Sequence, residues 1–347
     1  MKIVVTARGR VHAFESDPGE KILDAGLRQG LALPYECGSG TCGTCRARLV
    51  RGDVEDPWPE APGRQALKAD RGEFLMCQCL AREDCELEVP AAVEPMPPGA
   101  GVPGYLTGVV RARAALTHDV VELGVDVDPA LRFDAGQFVL LGVDGIAGRR
   151  AYSMVNHDRP APRLRFVLKH KPGGRVSEWA FGPAAVGAAV RLFGPLGRAT
   201  FTPDLARHLL CVAGGSGIAG LMAVLARAAA ERHFERHRGD VFFGVRTARD
   251  LFFAEELAAL AAGAPAALAV TVALSDEEVP AALRDRHPGL GFDTGLVHEV
   301  TARRMQGKFQ GVRAFVAGPP PMVDATIRML LREARLPPGE IRYDKFS

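Results

Sequence analysis

The sequence predicts a multidomain protein that combines a small α+β domain, an antiparallel β-barrel and an α/β domain with a parallel sheet. The chain has 347 residues, which exceeds the usual size of one domain. Residues 91–104 are rich in proline and glycine and therefore read as a linker. Strand patterns dominate residues 105–203, whereas strand and helix patterns alternate in residues 204–347.

Composition and charge limit the class of protein. The chain is 47% hydrophobic and 24% charged, which is typical of a globular protein and not of a disordered or fibrous one. The net charge of +2 gives no reason to expect a nucleic-acid partner. Residues 209–226 form the longest uncharged run, but they read as a strand, a glycine-rich turn and a helix start, so we expect no membrane span.

The cysteine count points to a reducing compartment. Seven cysteines is an odd number, and the N-terminal residues lack the apolar core of a secretory signal. Large chains without such a signal rarely depend on a disulfide framework. We therefore expect a cytoplasmic protein whose cysteines serve another purpose.

The first predicted domain, residues 1–90, begins with two alternating strands, "KIVVTA" and "RVHAFES". The following "GEKILDAGLRQG" has apolar residues at helical spacing and a closing glycine, so a β-hairpin followed by one helix is expected. This domain has 12 lysines and arginines against 15 acidic residues, a net charge of −3, and the remaining residues carry 31 against 26, or +5. A small acidic domain is thus joined to a larger basic part.

The second and third predicted domains follow the linker. Residues 105–203 contain short strands separated by turns, which is typical of a barrel. In residues 204–347, strands such as "HLLCVAGG" and "DVFFGV" alternate with helices, which predicts a parallel sheet with crossover helices. The first of these helices is followed by "HFERH", residues 233–237, which we interpret as a solvent-exposed helix end and not as a zinc site.

Four cysteines of the first domain have a characteristic spacing. Cys37, Cys42, Cys45 and Cys77 are separated by four, two and thirty-one residues, which is the plant-type [2Fe-2S] pattern. Thiolates are soft ligands that suit iron and sulfide, and four of them supply two per iron. Glycines fill much of the space between the first three and would let backbone N–H groups approach the sulfur atoms. The sequence therefore predicts a [2Fe-2S] cluster.

A structural zinc site is the alternative interpretation of these thiols. Zinc also takes four cysteines, but usually as two close pairs, whereas here three lie together and one is distant. Cys79, in "LMCQC", competes with Cys77 for the fourth position. We keep Cys77, because the family named below places its last ligand just before a similar glutamine.

Two stretches of the second domain suit a flavin. "RRAYSM" offers an arginine for a phosphate, a tyrosine ring to stack on a flavin and a serine hydroxyl for its reactive edge. "KPGGRVSEW" is a glycine turn that opens a short helix, where N–H groups suit a pyrophosphate. Each stretch alone is also compatible with ordinary barrel surface. The candidate flavin residues are Arg150, Tyr152, Ser153, Gly173, Gly174, Val176 and Ser177.

Two loops of the third domain suit a nicotinamide nucleotide. "VAGGSGIAG" lies between a strand and a helix but departs from G-x-G-x-x-G, so a plain strand-to-helix turn remains the alternative. "AGPPPM" also follows a strand and begins a helix. Both loops should lie at the carboxyl ends of parallel strands, where such sheets bind ligands. The candidate residues are Gly214, Gly215, Ser216, Gly217, Gly318, Pro319, Pro320 and Met322.

Together these motifs resemble the NADH-dependent reductase components of bacterial multicomponent oxygenases, such as those serving toluene and methane monooxygenases or benzoate dioxygenase. The resemblance covers residues 2–346 and rests on "CGSGTCGTC", "LMCQC", "RAYSM", "GGRVSEW", "GGSGIAG", "FGVRTARDLFFAEEL", "AGPPPM" and "YDKFS". It implies a β-grasp plant-type ferredoxin domain, an FAD-binding β-barrel and an NAD(P)H-binding domain like those of ferredoxin-NADP reductase.

The resemblance also implies roles for individual residues. Arg150, Tyr152 and Ser153 would contact FAD, with the glycine turn at residues 173–177 near its pyrophosphate. The two loops of the third domain would hold NADH. Phe346 would cover the other face of the flavin. We therefore expect Ser153, Tyr152 and Phe346 at the catalytic centre.

The chain departs from this family at two positions. Ala317 stands where many members have a cysteine, which excludes a thiol role there. Asp344 stands where relatives often have glutamate before the final Lys-Phe, so we assign no polar role to it.

The coenzyme choice depends on "GVRTARD" after the second strand of the third domain. Arg246 and Arg249 suit a 2′-phosphate, whereas Asp250 suits ribose hydroxyls and would repel that phosphate. NADH-using relatives also carry "GVR". We expect NADH in preference to NADPH.

The expected function is electron transfer. A nicotinamide gives up two electrons together and a [2Fe-2S] cluster takes one, so a flavin is needed between them. We expect electrons to pass from NADH through FAD and the cluster to a terminal oxygenase or hydroxylase. The negative charge of the first domain favours a basic docking surface on this acceptor and salt-sensitive reduction. We expect a monomer with no nucleic-acid or membrane partner.

Three alternatives remain open from the sequence. The acceptor could instead be a cytochrome P450 or a deoxysugar dehydratase partner. The chain could be a redox-sensing ferredoxin with degenerate flavin and nucleotide sites, although the intact motifs count against this. A zinc-containing binding module would be colourless.

Overall fold

The computed structural model describes residues 1–99 and 101–345, which fold into two compact units. The first unit comprises Met1–Leu106 with two later segments, Val139–Ala151 and Arg191–Leu196. The remaining described residues form the second unit. The segment that precedes the flavin motif therefore belongs to the same unit as the N-terminal domain.

The N-terminal part of the first unit is a five-stranded sheet with one helix, and a separate two-stranded sheet. Its elements are β1 (Lys2–Ala7), β2 (Arg10–Glu15), α1 (Ile22–Arg28), β3 (Arg46–Arg51), β4 (Val54–Glu55), β5 (Glu73–Leu75), β6 (Leu80–Ala81) and β7 (Cys85–Val89). The strand order is β2-β1-β7-β3-β5, with β1 parallel to β7 and antiparallel to β2, and β4 pairs with β6. The predicted hairpin followed by a helix is confirmed.

The second stretch of the chain supplies the strands of the predicted barrel. They are β8 (Gly104–Ala115), β9 (Val120–Leu131), β10 (Phe138–Val143), β11 (Arg150–Ser153), β12 (Ala161–Lys169) and β13 (Ala189–Leu196), with α2 (Arg175–Phe181) after β12. Within the second unit, β9 pairs antiparallel with both β8 and β12. The predicted antiparallel arrangement is confirmed.

The third stretch alternates strands and helices as predicted. Its elements are β14 (His208–Gly214), α3 (Ile218–Ala230), β15 (Gly239–Val245), α4 (Ala254–Gly263), β16 (Leu268–Leu274), α5 (Ala281–Arg286), β17 (Gly291–Thr294), α6 (Val297–Arg304), β18 (Val312–Gly318), α7 (Pro320–Arg332) and β19 (Ile341–Lys345). The strands lie in the order β17-β16-β15-β14-β18-β19 and every neighbouring pair is parallel. Such a sheet, covered by helices, is buried and apolar. Among the described residues, no helix has the length and apolar character needed to cross a lipid bilayer.

The predicted solvent-exposed end of the first helix in this stretch is wrong for His233. Helix α3 ends at Ala230, and Arg232 adopts a left-handed conformation before the short helical turn His233–Glu235. His233 is only 4% exposed, with its ring edge-on to Phe201 and stacked on His237 at 4.7 Å between ring centroids. The two histidines of "HFERH" pack against each other.

Candidate functional site

The loop that carries the first three cysteines, residues 37–45, connects α1 to β3 and folds tightly around its glycines. Gly43 has a φ of +77°, a conformation that other residues rarely adopt. A Cβ at this position would lie 2.7 Å from the Cβ of Ala66 and 3.0 Å from the carbonyl oxygen of Gly63. Glycine is therefore required where the loop packs on the turn at residues 62–66.

The four predicted ligands form two pairs of thiols. Cys42 hydrogen-bonds to Cys37, a contact that lowers the pKa of Cys37 and raises the pKa of Cys42. Cys45 and Cys77 form the second hydrogen-bonded pair, and this contact together with burial raises the pKa of Cys45. The fold thus brings the distant Cys77 directly to the cysteine loop.

Cys79 has different surroundings from Cys77. It is fully buried, and burial raises the pKa of its thiol to about 11. Its backbone N–H donates to the Leu75 carbonyl oxygen. The hydrogen-bond partner of the Cys45 thiol is Cys77. This arrangement favours Cys77 as the fourth ligand.

The donors around these thiols fit a [2Fe-2S] cluster. The backbone N–H of Ser39 donates to Sγ of Cys37 at 3.4 Å, and that of Thr44 donates to Sγ of Cys42 at 3.5 Å. The side-chain amide of Gln78 donates to Sγ of Cys77 at 3.4 Å. Hydrogen bonds of this kind stabilise cluster thiolates and tune their potential.

A buried charge network that the sequence reasoning missed lies beside the thiols. Lys21, whose pKa burial lowers, donates from Nζ to the carbonyl oxygen of Gln78. One turn further along, Asp24 of α1 is fully buried and forms an ion pair with Arg149. An acidic residue on the buried face of an amphipathic helix was the available signal, because such a carboxylate needs a partner.

The segment next to the flavin motif contacts the cysteine loop within the first unit. Gly38 lies so close to Leu140 of β10 that a Cβ there would be 3.2 Å from Leu140 Cδ1. The guanidinium of Arg150 lies over the ring of Trp58, 5.7 Å from its centroid. Its NH1 also donates to the carbonyl oxygen of Arg149 at 3.0 Å.

Ser153, at the end of β11, has a buried hydroxyl group. It is 6% exposed, and its Oγ has no hydrogen-bond partner among the described residues. Gly220 of α3 approaches it so closely that a Cβ there would lie 3.2 Å from Ser153 Oγ. A buried polar atom without a partner is costly unless a bound molecule satisfies it, so this position fits the polar edge of a flavin. Tyr152 precedes it on the same strand, half-buried.

The glycine turn at residues 173–177 uses several of its polar groups internally. The hydroxyl of Ser177 accepts from the N–H of Lys171 at 3.1 Å and lies 2.8 Å from the Gly174 carbonyl oxygen. The N–H of Gly173 donates to the carboxylate of Glu178 at 2.8 Å. Val176 is buried. The turn is therefore preformed, with Gly174 as the N-cap of α2.

The two predicted nucleotide loops meet at the carboxyl ends of neighbouring parallel strands. Gly214 ends β14, and the turn Gly215–Gly217, which includes Ser216, leads into α3. A Cβ on Gly217 would lie 2.3 Å from the Ala317 carbonyl oxygen, and one on Gly214 would lie 2.9 Å from the Met322 methyl group. Pro319 is the N-cap of α7, and Pro320 is its first residue. Gly318 and Met322 thus lie against the glycine loop.

Arg246 and Asp250, which we expect to discriminate between NADH and NADPH, form an ion pair with each other. Arg246 lies 3.2 Å from Asp250 and 3.4 Å from Asp119. Asp250 also accepts hydrogen bonds from the backbone N–H and the hydroxyl of Thr247. Burial opposes its ionisation, but these hydrogen bonds and the charge of Arg246 lower the pKa of Asp250. The positive charge of Arg246 is therefore matched by carboxylates.

Three further positions complete the predicted site. Phe346 lies outside the described residues. Ala317 is buried near the end of β18, and Asp344 lies in β19.

Family models match three successive parts of the chain. A 2Fe-2S iron-sulfur cluster binding domain matches residues 5–82, an oxidoreductase FAD-binding domain matches residues 107–201, and an oxidoreductase NAD-binding domain matches residues 211–328. The ferredoxin–NAD(+) reductase component of the alkene monooxygenase system of Xanthobacter autotrophicus is 36% identical, over 97% of this chain and 98% of that protein. The chain belongs to the ferredoxin–NAD(P)(+) reductase components of oxygenase systems.

Solved structures of two reductases agree with this membership. The ferredoxin reductase in carbazole 1,9a-dioxygenase aligns with a TM-score of 0.83 and 32% identity, covering 100% of this chain and 99% of that chain. A cytochrome P450 reductase from Amycolatopsis aligns with a TM-score of 0.82 and 28% identity, covering 99% and 98%. The predicted family, the three-part fold and the [2Fe-2S], FAD and nicotinamide cofactors are confirmed. The reductase is an oxidoreductase that carries all three electron-transfer modules in one chain.

Proposed function

We propose that this reductase oxidises NADH and passes the electrons, through FAD and a [2Fe-2S] cluster, to the terminal oxygenase of a multicomponent system. The observation that carries the proposal is the pairing of Cys37 with Cys42 and of Cys45 with Cys77 in a chain that also has flavin and nicotinamide domains. The relative from Xanthobacter autotrophicus is named as the ferredoxin–NAD(+) reductase component of an alkene monooxygenase system.

Each predicted cofactor-binding residue has a proposed role. Bound FAD would supply the conversion of an electron pair into single electrons. Ser153 would hydrogen-bond to the reacting edge of the flavin, because its buried hydroxyl has no other partner among the described residues. Arg150 and the preformed turn at residues 173–177 would bind the FAD phosphates, and Tyr152 would pack on its ring. Phe346 would cover the opposite face. The four paired cysteines would hold the irons.

NADH is the proposed coenzyme. Gly214–Gly217 and the loop from Gly318 to Met322 would bind it at the ends of β14 and β18. The lowered pKa of Asp250 keeps a negative charge that would repel a 2′-phosphate, and the charge of Arg246 is already matched by Asp119 and Asp250. This arrangement supports NADH over NADPH.

A cytochrome P450 is the second candidate acceptor. The full-length similarity to a cytochrome P450 reductase favours it. The cofactor chain would be unchanged, and only the protein that receives electrons from the cluster would differ.

We also propose a cellular compartment and an oligomeric state for the reductase. All seven cysteines are free, and six of them are buried, which supports a reducing compartment such as the cytoplasm. We propose a monomer without a membrane or nucleic-acid partner, in line with the near-neutral net charge. Size-exclusion chromatography with light scattering tests the monomer.

The function is tested by reconstitution with the oxygenase and, separately, the P450 encoded nearest to it. We expect NADH-dependent product formation with one of them, and a kcat/KM for NADH that exceeds that for NADPH. Loss of product formation with both, while NADH still reduces ferricyanide, would reject these acceptors and leave the reductase chemistry standing.

A further inference from the structure

The first unit contains a groove of about 650 Å³ with a basic lining. We define the basic groove by its four cations, Arg46, Arg48, Lys68 and Arg71, all of them exposed. Two carboxylates, Glu73 and Glu88, also line it. Four cations against two carboxylates leave a local charge of +2, although residues 1–90 as a whole carry −3.

Three of the four cations have no ion-pair partner in residues 1–99 and 101–345. Arg48 forms an ion pair with Glu88. Glu73 accepts a hydrogen bond from the backbone N–H of Lys68 and is not within ion-pair distance of a cation among the described residues. The side chains of Arg46, Lys68 and Arg71 form no ion pair within the described part of the chain. Their charges therefore act on whatever enters the groove.

Strands β3 and β5, which contribute residues to the basic groove, lie next to cluster ligands in the sequence. Arg46 directly follows Cys45, and in the antiparallel pairing of β3 with β5 it lies opposite Leu75, two residues before Cys77. Along β3 the side chains alternate, with Cys45 and Ala47 buried and Arg46 exposed. The groove therefore borders the strand ends that lead directly to Cys45 and Cys77.

The basic groove lies beside an edge strand of the sheet. Strand β5, which carries Glu73 of the groove lining, is the last strand in the order β2-β1-β7-β3-β5. An exposed edge strand can be approached by another protein, and long charged side chains normally protect it from non-specific pairing. Four of the six charged residues that line the groove beside this edge are positive, which favours the approach of an acidic surface.

We propose that the basic groove is the docking surface for the electron acceptor, and that the acceptor presents a cluster of aspartate and glutamate side chains to it. Electron transfer between proteins weakens steeply with distance, so the acceptor must bind near the cluster, and local charges there count for more than the net charge of the domain. The inference rests on the proposed function. It replaces the basic acceptor surface expected from net charge with an acidic one at this groove.

The test compares two charge reversals in the complete, cofactor-loaded reductase. Arg71→Glu alters the basic groove, and Lys2→Glu makes the same change at an exposed lysine of β1 outside its lining. The probe acceptor is cytochrome b5, an acidic haem protein. At low salt, Arg71→Glu should lower kcat/KM for cytochrome b5 roughly tenfold through KM, and Lys2→Glu should change it less than twofold, because steering depends on local charge.

Two further measurements separate the docking surface from the rest of the function. The difference between the variants should shrink at high salt, where screening is strong. NADH-driven reduction of ferricyanide, a small acceptor, should be unchanged in both variants; if the parent protein lacks this activity, the proposed function itself fails.

Equal effects of the two reversals on cytochrome b5 would overturn the docking proposal, as would an unchanged KM for Arg71→Glu. Competition experiments give a second check. Poly-L-glutamate should inhibit cytochrome b5 reduction by the parent protein and not by the Arg71→Glu variant. Inhibition by inorganic polyphosphate alone would instead identify an anion site without a docking role.

Discussion

The carboxylate of Asp24 lies 2.7 Å from the guanidinium of Arg149, and together they form a buried ion pair. The hydroxyl of Tyr105 donates to the same carboxylate oxygen at 3.0 Å. Burial raises the pKa of Asp24, and the neighbouring charge of Arg149 partly opposes this. Burial also acts against the charge of Arg149, but the attraction of Asp24 outweighs it and raises the pKa of Arg149. The pair joins α1 to the residue that directly precedes the flavin motif.

Replacing Asp24 with asparagine should destabilise the first unit strongly. The variant keeps the shape of the side chain but leaves the charge of Arg149, whose side chain is 22% exposed, without a counter-charge. Breaking a buried pair in this way typically costs about 3–5 kcal/mol. The measurement is the urea midpoint of the complete protein, followed by far-UV circular dichroism.

Asp17→Asn is the matched control for this change. Asp17 also forms an ion pair, with Arg28 at 3.0 Å, but its side chain is 75% exposed. Exposed pairs contribute about 0–1 kcal/mol, so this variant should unfold nearly as the parent does. Equal destabilisation by the two substitutions would show that burial of the Asp24 pair does not matter.

The choice between Cys77 and Cys79 as the fourth cluster ligand can be tested by two serine variants. Cys77→Ser should lower the iron content and the visible absorbance of the cluster, because it removes the thiol that pairs with Cys45. Cys79→Ser should keep both, since its buried thiol lies outside the two pairs. Flavin content should be equal in the two proteins, and the reverse pattern of iron content would assign the ligand to Cys79.

Ser153→Ala should slow flavin reduction without destabilising the protein. Removal of the hydroxyl eliminates a buried polar atom that lacks a partner among the described residues, so the cofactor-free protein should be as stable as the parent or more so. With FAD bound, loss of the hydrogen bond should slow reduction by NADH by about tenfold to a hundredfold in stopped-flow experiments.

Ser16 offers a control for the Ser153 variant. Its Oγ is likewise buried without a hydrogen-bond partner among the described residues, but it lies in the N-terminal part of the first unit. Ser16→Ala should leave the rate of flavin reduction unchanged. An unchanged rate in Ser153→Ala as well would remove Ser153 from the catalytic centre.

His233 should make the protein sensitive to mild acid. Burial, with a smaller effect of His237, lowers the pKa of His233 to about 4. An unfolded histidine titrates near 6.5, so between about pH 6.5 and about pH 4 the unfolded state binds a proton that the folded state does not. Stability should therefore fall as the pH falls through this window, by up to about 3 kcal/mol.

His233→Asn removes this titration and serves as the test. The thermal midpoint of the variant should depend less on pH between 7 and about 4.5 than that of the parent, as followed by circular dichroism. Acid loss of the cluster would affect both proteins alike. Parallel pH profiles would assign the acid sensitivity to other groups.

The features that can be predicted from the sequence are those that depend on residue spacing and periodicity within a short segment. The spacing of Cys37, Cys42 and Cys45 belongs to one loop, and the alternation of strands and helices after residue 204 reflects periodic burial. The glycine loop after β14 was also located correctly, because strand and helix patterns on both sides fix its place in a parallel sheet.

The features that sequence did not predict depend on contacts between distant segments. The Asp24–Arg149 pair joins α1 to a segment far along the chain, and no periodicity connects them. His233 follows the left-handed residue Arg232 and packs against Phe201, which lies far away in the sequence. Likewise, net charge averages over a whole domain and so conceals a local groove of opposite sign.

Anaerobic stopped-flow mixing of the loaded protein with NADH reports the order in which electrons pass from NADH through the flavin to the cluster. Flavin and cluster absorbance are followed at separate wavelengths. We expect the flavin to be reduced before the cluster or together with it, and Cys77→Ser to keep flavin reduction while losing the cluster phase. Bleaching of the cluster without prior or concurrent reduction of the flavin would refute this electron path.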